Sequence, residues 1–212
     1  MTTKEYEKLD PISHILKRPD MYCGSIRMRQ IEEYVSTNNF NIEKKSEIKI
    51  SPALLRIFIE PLSNAIDNVE RSKKTTTPCT KIKVNIDEET GKTTIWNNGD
   101  IVPIEKNKKE KCYNHSMIFG QLLTGSNYDD EEERVISGRN GLGVKLCNVF
   151  STYFCVKGQD PNNNKKLTQE WTNNMKDTEG PVVKTSKDVT NGFTEISWIP
   201  DFERFGIKKY TR

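Results

Sequence analysis

The chain has 212 residues, enough for one substantial core or for one domain plus part of a second, and we expect one main domain mixing helices and strands. Its 33 basic and 30 acidic residues nearly cancel, to a formal net charge of +3, so charge alone predicts no nucleic-acid partner. Five cysteines without a Cys-x-x-Cys pair and only two histidines argue against a disulfide framework, a zinc site or a His-rich metal site.

Hydrophobic residues make up 33% of the chain and the mean hydropathy is -0.75, so much of the length must be surface, loop or lid. There is no long apolar run and no secretory leader pattern; the expectation is an intracellular, reducing setting with no membrane partner.

In chain order, a charged start leads to Ile12, Ile15 and Leu16, a short amphipathic turn or helix stopped at Lys17-Arg18-Pro19-Asp20. Residues 1–30 could form an arm. Residues 37–50 are polar and rich in Asn and Lys, which fits a loop. Ser51-Pro52 then supplies an N-cap and a first-turn proline for a helix to about Arg71, with Leu54, Leu55, Phe58, Leu62, Ala65, Ile66 and Val69 at helical spacing. Lys81 to Ile86 alternates with period two and, through Glu89-Thr90-Gly91-Lys92, meets Thr93 to Trp96 in a hairpin pattern. Residues 105–140 carry little apolar pattern beyond Met117-Ile118-Phe119 and Leu122-Leu123, and hold two charge blocks, so a lid is expected there. Gly138-Arg139-Asn140-Gly141-Leu142-Gly143 follows and runs into a short helix over Val144 to Phe150. Strands are expected at Tyr153–Lys157, Lys166–Trp171 and Phe193–Trp198.

Three pieces could carry chemistry. The long helix places Glu60, Asn64, Asp67 and Arg71 within a narrow arc, since steps of three and four return to one side of the helix. Every amphipathic helix has a polar side, but this one offers a carboxylate able to take a proton from water and a carboxamide oxygen suited to Mg²⁺. Trp96-Asn97-Asn98-Gly99-Asp100 ends a strand in amides, a glycine and an acid; such a segment is commonly a turn, or it can read a base edge while the glycine admits close backbone approach. The glycine loop from Gly138 to Lys145 exposes backbone N–H groups at a helix start, a seat for phosphates. It is not a P-loop, because Val144-Lys145 stands where Lys then Ser/Thr is required. It is not a dinucleotide fingerprint either, because Leu146 occupies a glycine or alanine position.

Taken in this order, the pieces resemble the Bergerat-type ATP site of the GHKL superfamily. The similarity to eukaryotic-type type II DNA topoisomerases, including those of large DNA viruses, is closer. It is carried by His14 to Tyr22, by Asn64-Ala65-Ile66-Asp67-Asn68, by Ile95 to Gly99, by Phe119 to Asp130, and by Gly138 to Ser151, and it continues to Trp198-Ile199-Pro200-Asp201. A mismatch-repair or heat-shock-type member of the superfamily would lack the Lys-Arg-Pro-Asp and Leu-Leu-Thr-Gly-Ser-Asn-Tyr-Asp-Asp stretches.

The resemblance implies an α+β two-layer Bergerat (GHKL) sandwich, a mixed, mainly antiparallel β-sheet covered on one face by helices. Residues 1–30 would be an arm exchanged in an ATP-dependent homodimer, and residues 31–212 the ATPase domain, with an ATP lid at about 105–143. Glu60 would be the general base and Asn64 the protein ligand of Mg²⁺. Asn68 would lie near ribose or phosphates, Asn97 or Asn98 near adenine, and Ser126 and Asn127 near the sugar and α-phosphate. Gly138, Arg139, Asn140, Gly141, Leu142, Gly143, Val144 and Lys145 would wrap the triphosphate, and Tyr22 would meet nucleotide in the partner subunit. The cofactors implied are ATP and Mg²⁺. The activity implied is ATP hydrolysis gating the passage of one DNA duplex through a break in another, in a nucleus or a viral replication site; a nucleotide-dependent dimerisation module with weak or lost hydrolysis is the alternative. Pro61 inside the helix, Ile101 in place of a usual glycine and Gly125 in place of a usual serine depart from the family pattern. The transducer and DNA-cleaving regions are expected to lie beyond this chain.

Overall fold

The structure, a computed structural model, describes residues 8–36, 41–122 and 142–210. Its elements are α1 (Pro11–Lys17), β1 (Arg29–Ser36), β2 (Ile42–Ile50), α2 (Pro52–Ser72), β3 (Ile82–Ile86), β4 (Thr93–Asn98), α3 (Asn114–Gly120), α4 (Gly143–Val149), β5 (Ser151–Asp160), β6 (Lys165–Thr172), β7 (Val182–Thr185) and β8 (Phe193–Pro200). Six strands form one sheet in the order β3-β4-β8-β5-β6-β7, and β1 pairs with β2 in a separate ribbon. Every strand pairing among the described residues is antiparallel, so the α+β class holds.

Alternation along the strands sets which face is covered. Ile95, Ile196 and Val156 lie side by side across three strands, as do Trp198, Phe154 and Trp171. All six are buried in the core that the helices close. The intervening positions form the opposite face, where Cys155 and Ser197 are buried but Lys157 pairs with Glu195 at 3.0 Å, the Tyr153 hydroxyl donates to Glu170 at 2.7 Å, and Lys83 stands over the Trp96 ring.

The long helix begins as its sequence predicts. Ser51 Oγ accepts from Leu54 N at 3.3 Å, and Pro52 occupies the first turn, where no N–H is needed. Its buried side overlaps the expected one, with Ala65 buried and Leu54, Phe58 and Leu62 packed against the core. It runs through Ala53, Ile57, Pro61, Ala65, Asn68 and Ser72, while Leu55, Ile59, Ile66 and Val69 are exposed. Small residues on the covered side let the helix approach closely, and Ile57, Leu54, Phe58 and Leu62 supply its larger apolar contacts with the core. Pro61 lacks the N–H that would reach Ile57, yet helical structure continues on both sides of it.

One further expectation changes, and two stretches gain detail. Residues 37–50 were expected as loop, but Ile42–Ile50 is a strand, with Ile48 opposite Ile31 and Ile50 opposite Arg29. The ribbon buries little, so exposed Lys and Glu fill positions that a half-buried strand would leave apolar. The stretch expected as an arm is in part docked on its own domain, because Ile15, Pro19 and Cys23 are buried. Within the expected lid, residues 114–120 form α3, whose His115 and Phe119 are buried. Phe119 packs on Phe154, with ring centroids 6.4 Å apart. β7 had no sequence signal, being four residues long and largely exposed.

His115 carries a measurable consequence. It is fully buried, neither ring nitrogen has a hydrogen-bond partner, and burial pushes its pKa down to about 4 against the opposing pull of Asp160. The unfolded chain therefore binds a proton at higher pH than the folded one does. Stability is complete above the ordinary histidine value and is lost as pH falls from about 6.5 towards 4, by up to about 3 kcal/mol. Urea unfolding across that window should show this loss, and His115→Leu should flatten it; an unchanged slope in the variant would refute the assignment.

Candidate nucleotide site

α2 and α4 pack against each other, and the contact is made possible by a missing side chain. A Cβ placed on Gly143 would overlap Glu60 Oε2, so the Glu60 carboxylate rests on the backbone of the first turn of α4. Arg56, one turn earlier on α2, holds the other oxygen, with Nε 2.5 Å from Oε1. The Glu60 side chain is 17% exposed, enclosed but still reachable by water. Asn64 stands one turn further along α2 and is exposed.

Asn68, a turn beyond, ties the helix to the end of β4. It is 2% exposed, its Nδ2 donates to the Asp100 carbonyl at 2.9 Å, and its Oδ1 accepts from Arg71 at 2.8 Å. Ser72 extends the link, donating to the Asn68 carbonyl at 2.5 Å and accepting from Cys79 N at 2.8 Å. Thr77 donates to the Asp100 carboxylate. Gly99 has φ +97 and lies so close to Cys79 that a Cβ would come within 2.6 Å of its Cα, which requires glycine there twice over. Sequence reading missed Ser72, Thr77 and Cys79, since a Ser and a Thr around a helix end look like ordinary surface.

Asn97 and Asn98 are separated by the strand pleat. Asn97 shares the covered face with Ile95 and is 7% exposed. Asn98 points the other way and spends its amide on β3, with Oδ1 accepting from Thr80 N at 3.0 Å and Lys81 N at 2.8 Å, and Nδ2 donating to Thr80 Oγ1 at 3.0 Å. Of the two, only Asn97 lies on the side that carries α2 and α4.

On α4, Leu142 and Gly143 remain partly accessible, whereas Val144 and Lys145 are buried. Burial pushes the Lys145 ammonium down to about 8. Tyr22 is half-buried and its hydroxyl lies 2.8 Å from His14 Nδ1 in the same chain. Ser126, Asn127, Gly138, Arg139, Asn140 and Gly141 lie outside the described residues. The structure thus brings Glu60, Asn64, Asn68, Asn97, Leu142, Gly143 and Lys145 onto one side of the sheet, and turns Asn98 away.

No protein-family model matches the chain. Individual relatives do. The DNA topoisomerase 2 of Invertebrate iridescent virus 6 is 47% identical over 96% of this chain and 19% of its own length. The ATPase region of Saccharomyces cerevisiae topoisomerase II superposes with a TM-score of 0.92 at 39% identity, covering 98% of this chain and 53% of that one. The chain belongs to the family of type II DNA topoisomerase ATPase regions. The ATPase and transducer domains of the Balamuthia mandrillaris enzyme agree, with a TM-score of 0.90 at 36% identity over 96% of this chain and 52% of that one. The gyrase B ATPase domain of Thermus thermophilus, 18% identical with a TM-score of 0.63, shares the fold, which is the GHKL sandwich. The chain spans about a fifth of the length of the viral relative and about half of the solved topoisomerase ATPase structures.

Within this ATPase-region fold, Gly143 is the tightest point of the site. Gly143→Ala must displace Glu60 or shift α4. We expect the variant to fold, as judged by circular dichroism, and to lose nucleotide-dependent turnover at least about tenfold, since small misplacements of a reacting group are costly. Wild-type turnover in the variant would show that the contact is incidental.

Proposed function

We propose that this chain binds ATP with Mg²⁺ and hydrolyses it to operate the gate of a type II topoisomerase, which passes one DNA duplex through a transient break in another. The observation that carries the reading is the Glu60 carboxylate held by Arg56 against the bare backbone of Gly143. A base and a phosphate-binding glycine turn are thereby adjacent, as attack of water on a terminal phosphate requires.

The residues present fit the nucleotide and the ion. Gly143 keeps the first turn of α4 bare beside the Glu60 carboxylate, Lys145 is a buried cation whose charged form an anion would favour, and Asn97 is a nearly buried amide on the helix side of the sheet. Asn64 offers an exposed carboxamide oxygen of the hard type Mg²⁺ prefers. Among the described residues no three His, Cys, Asp or Glu converge, so the ion would rely on Asn64 and phosphate oxygens. When bound, Mg²⁺ supplies neutralisation of phosphate charge. Glu60 takes the proton of the attacking water, Arg56 orients Glu60, and Asn68 fixes the loop beside Asn97 so that the adenine end keeps its shape. Gly138, Arg139, Asn140 and Gly141 complete the phosphate loop in this reading, and Ser126 and Asn127 meet the sugar side.

Nucleotide binding would close a dimer with a second copy of the chain, with Tyr22 reaching the partner's site. No described helix is long and apolar enough to cross a membrane. Relatives from yeast and from an iridescent virus support a place in the nucleus or at a viral replication site.

A second reading, a nucleotide-dependent dimerisation module with weak hydrolysis, is favoured by one feature, the Arg56 ion pair that occupies one Glu60 oxygen. The two readings separate in one experiment. Calorimetry with a non-hydrolysable ATP analogue and Mg²⁺ should show binding to both the wild-type chain and Glu60→Gln, while residual ATPase falls by about 10²-fold or more in the variant. Absence of binding refutes the nucleotide site; equal turnover refutes Glu60 as base and favours the dimerisation module.

A further inference from the structure

The segment from Gly99 to Ile104, which follows β4 and its Asn97, is gripped from two directions. On the side of α2 the contacts are those of Asn68 and Thr77 with Asp100 and of Cys79 with Gly99. On the other side it meets two stretches further along the sheet, the β5–β6 turn and the approach to β8. A Cβ placed on Gly192 would lie 2.8 Å from the Gly99 carbonyl oxygen, 3.2 Å from Ile101 Cγ2 and 3.5 Å from Pro161 Cδ. The φ of Gly192 is not positive, so the demand for glycine there comes from these neighbours rather than from the backbone. Ile101, which stands where the family pattern has glycine, therefore has its bulk taken up by a missing side chain at position 192.

The β5–β6 turn is built around a carboxylate. Asp160 is 1% exposed; its Oδ1 accepts from Asn162 N at 3.0 Å and Asn163 N at 3.2 Å, and its Oδ2 accepts from Asn163 Nδ2 at 2.7 Å. The same Oδ2 reaches across to accept from Ile104 N at 2.9 Å, while Lys165 Nζ donates to the Ile104 carbonyl at 3.2 Å. Ile104 is fully buried, and the turn holds both of its backbone polar groups. A buried carboxylate is tolerated when its lone pairs are filled, and one of the bonds that fills them here fixes the segment after β4.

We infer that Gly192 and Asp160 are positioning residues for the adenine end of the nucleotide site, a role that rests on the nucleotide reading of Asn97 and Gly99. Both act through the segment 99–104 and not by touching the ligand. Asp160 draws Ile104 back onto the sheet, and Gly192 leaves room for the Gly99 carbonyl. β4 and β8 are paired at this corner, with Asn97 opposite Thr194, so the approach to β8 and the adenine end lie together. A side chain at position 192 must move the Gly99 turn or open the sheet end, because the atom in its way belongs to the backbone.

The test is Gly192→Ala in the whole chain, titrated by calorimetry with a non-hydrolysable ATP analogue and Mg²⁺. The dissociation constant should rise about five- to tenfold, as overpacking against backbone implies. Residual hydrolysis at saturating ATP should stay within about twofold, the pattern of lost ligand binding rather than of a displaced general base. Asn191→Ala, exposed and next in the chain, should change neither quantity. Asp160→Asn keeps the side-chain size, gives up an acceptor, and should weaken the analogue about threefold in the same pattern; it carries the test if circular dichroism shows Gly192→Ala unfolded. An unchanged dissociation constant in the folded variant, an equal loss in Asn191→Ala, or a saturating rate that falls together with affinity would each overturn the role. Failure of the wild-type chain to bind the analogue refutes the nucleotide reading itself, whereas wild-type binding that Gly192→Ala leaves intact refutes only the positioning role.

Discussion

The approach of α2 to α4 is the constraint on which the rest of the site depends. Two helices can bring a carboxylate onto a neighbouring backbone only where no side chain intervenes, and Gly143 supplies that gap against Glu60. Ala53 and Ala65 on the covered side of α2 keep the helix close, and Ile57 between them is fully buried. Leu54, Phe58 and Leu62 pack on the core to either side of this line, while Leu55 and Ile66 face outward. Had Leu55 or Ile66 been turned inward, Glu60 would be carried around the helix and away from α4.

Burying polar groups costs free energy unless they are hydrogen-bonded, and the site concentrates such groups in one place. Asn68 answers with bonds to Asp100 and Arg71, and Ser72 with bonds to the Asn68 carbonyl and to Cys79 N. Together they lock the C-terminal end of α2 to the turn after β4, at the point where Gly99 meets Cys79. Asn97 is thereby held at the end of a rigid strand on the covered face. Lys145 is enclosed by the packing of α4, which lowers its affinity for a proton.

The sequence by itself determined the periodic elements: the capped helix from Ser51, the β3–β4 hairpin, the three later strands and the glycine turn into α4 are all written in local spacing and turn chemistry. It also offered candidates, Glu60, Asn64, Asn68, Asn97 or Asn98 and the glycines, beside motifs specific enough to point to one family. The strand at residues 42–50 was hidden because an exposed ribbon needs little apolar pattern, and α3 because one seven-residue helix anchored by His115 and Phe119 carries too few periods. Tertiary structure alone decided which side of α2 is buried, which of two adjacent asparagines faces the helices, and that the bare backbone of Gly143 meets the Glu60 oxygen that Arg56 does not hold. Those are questions of distance between segments far apart in the chain, and local propensity contains no information about what will pack on the other side.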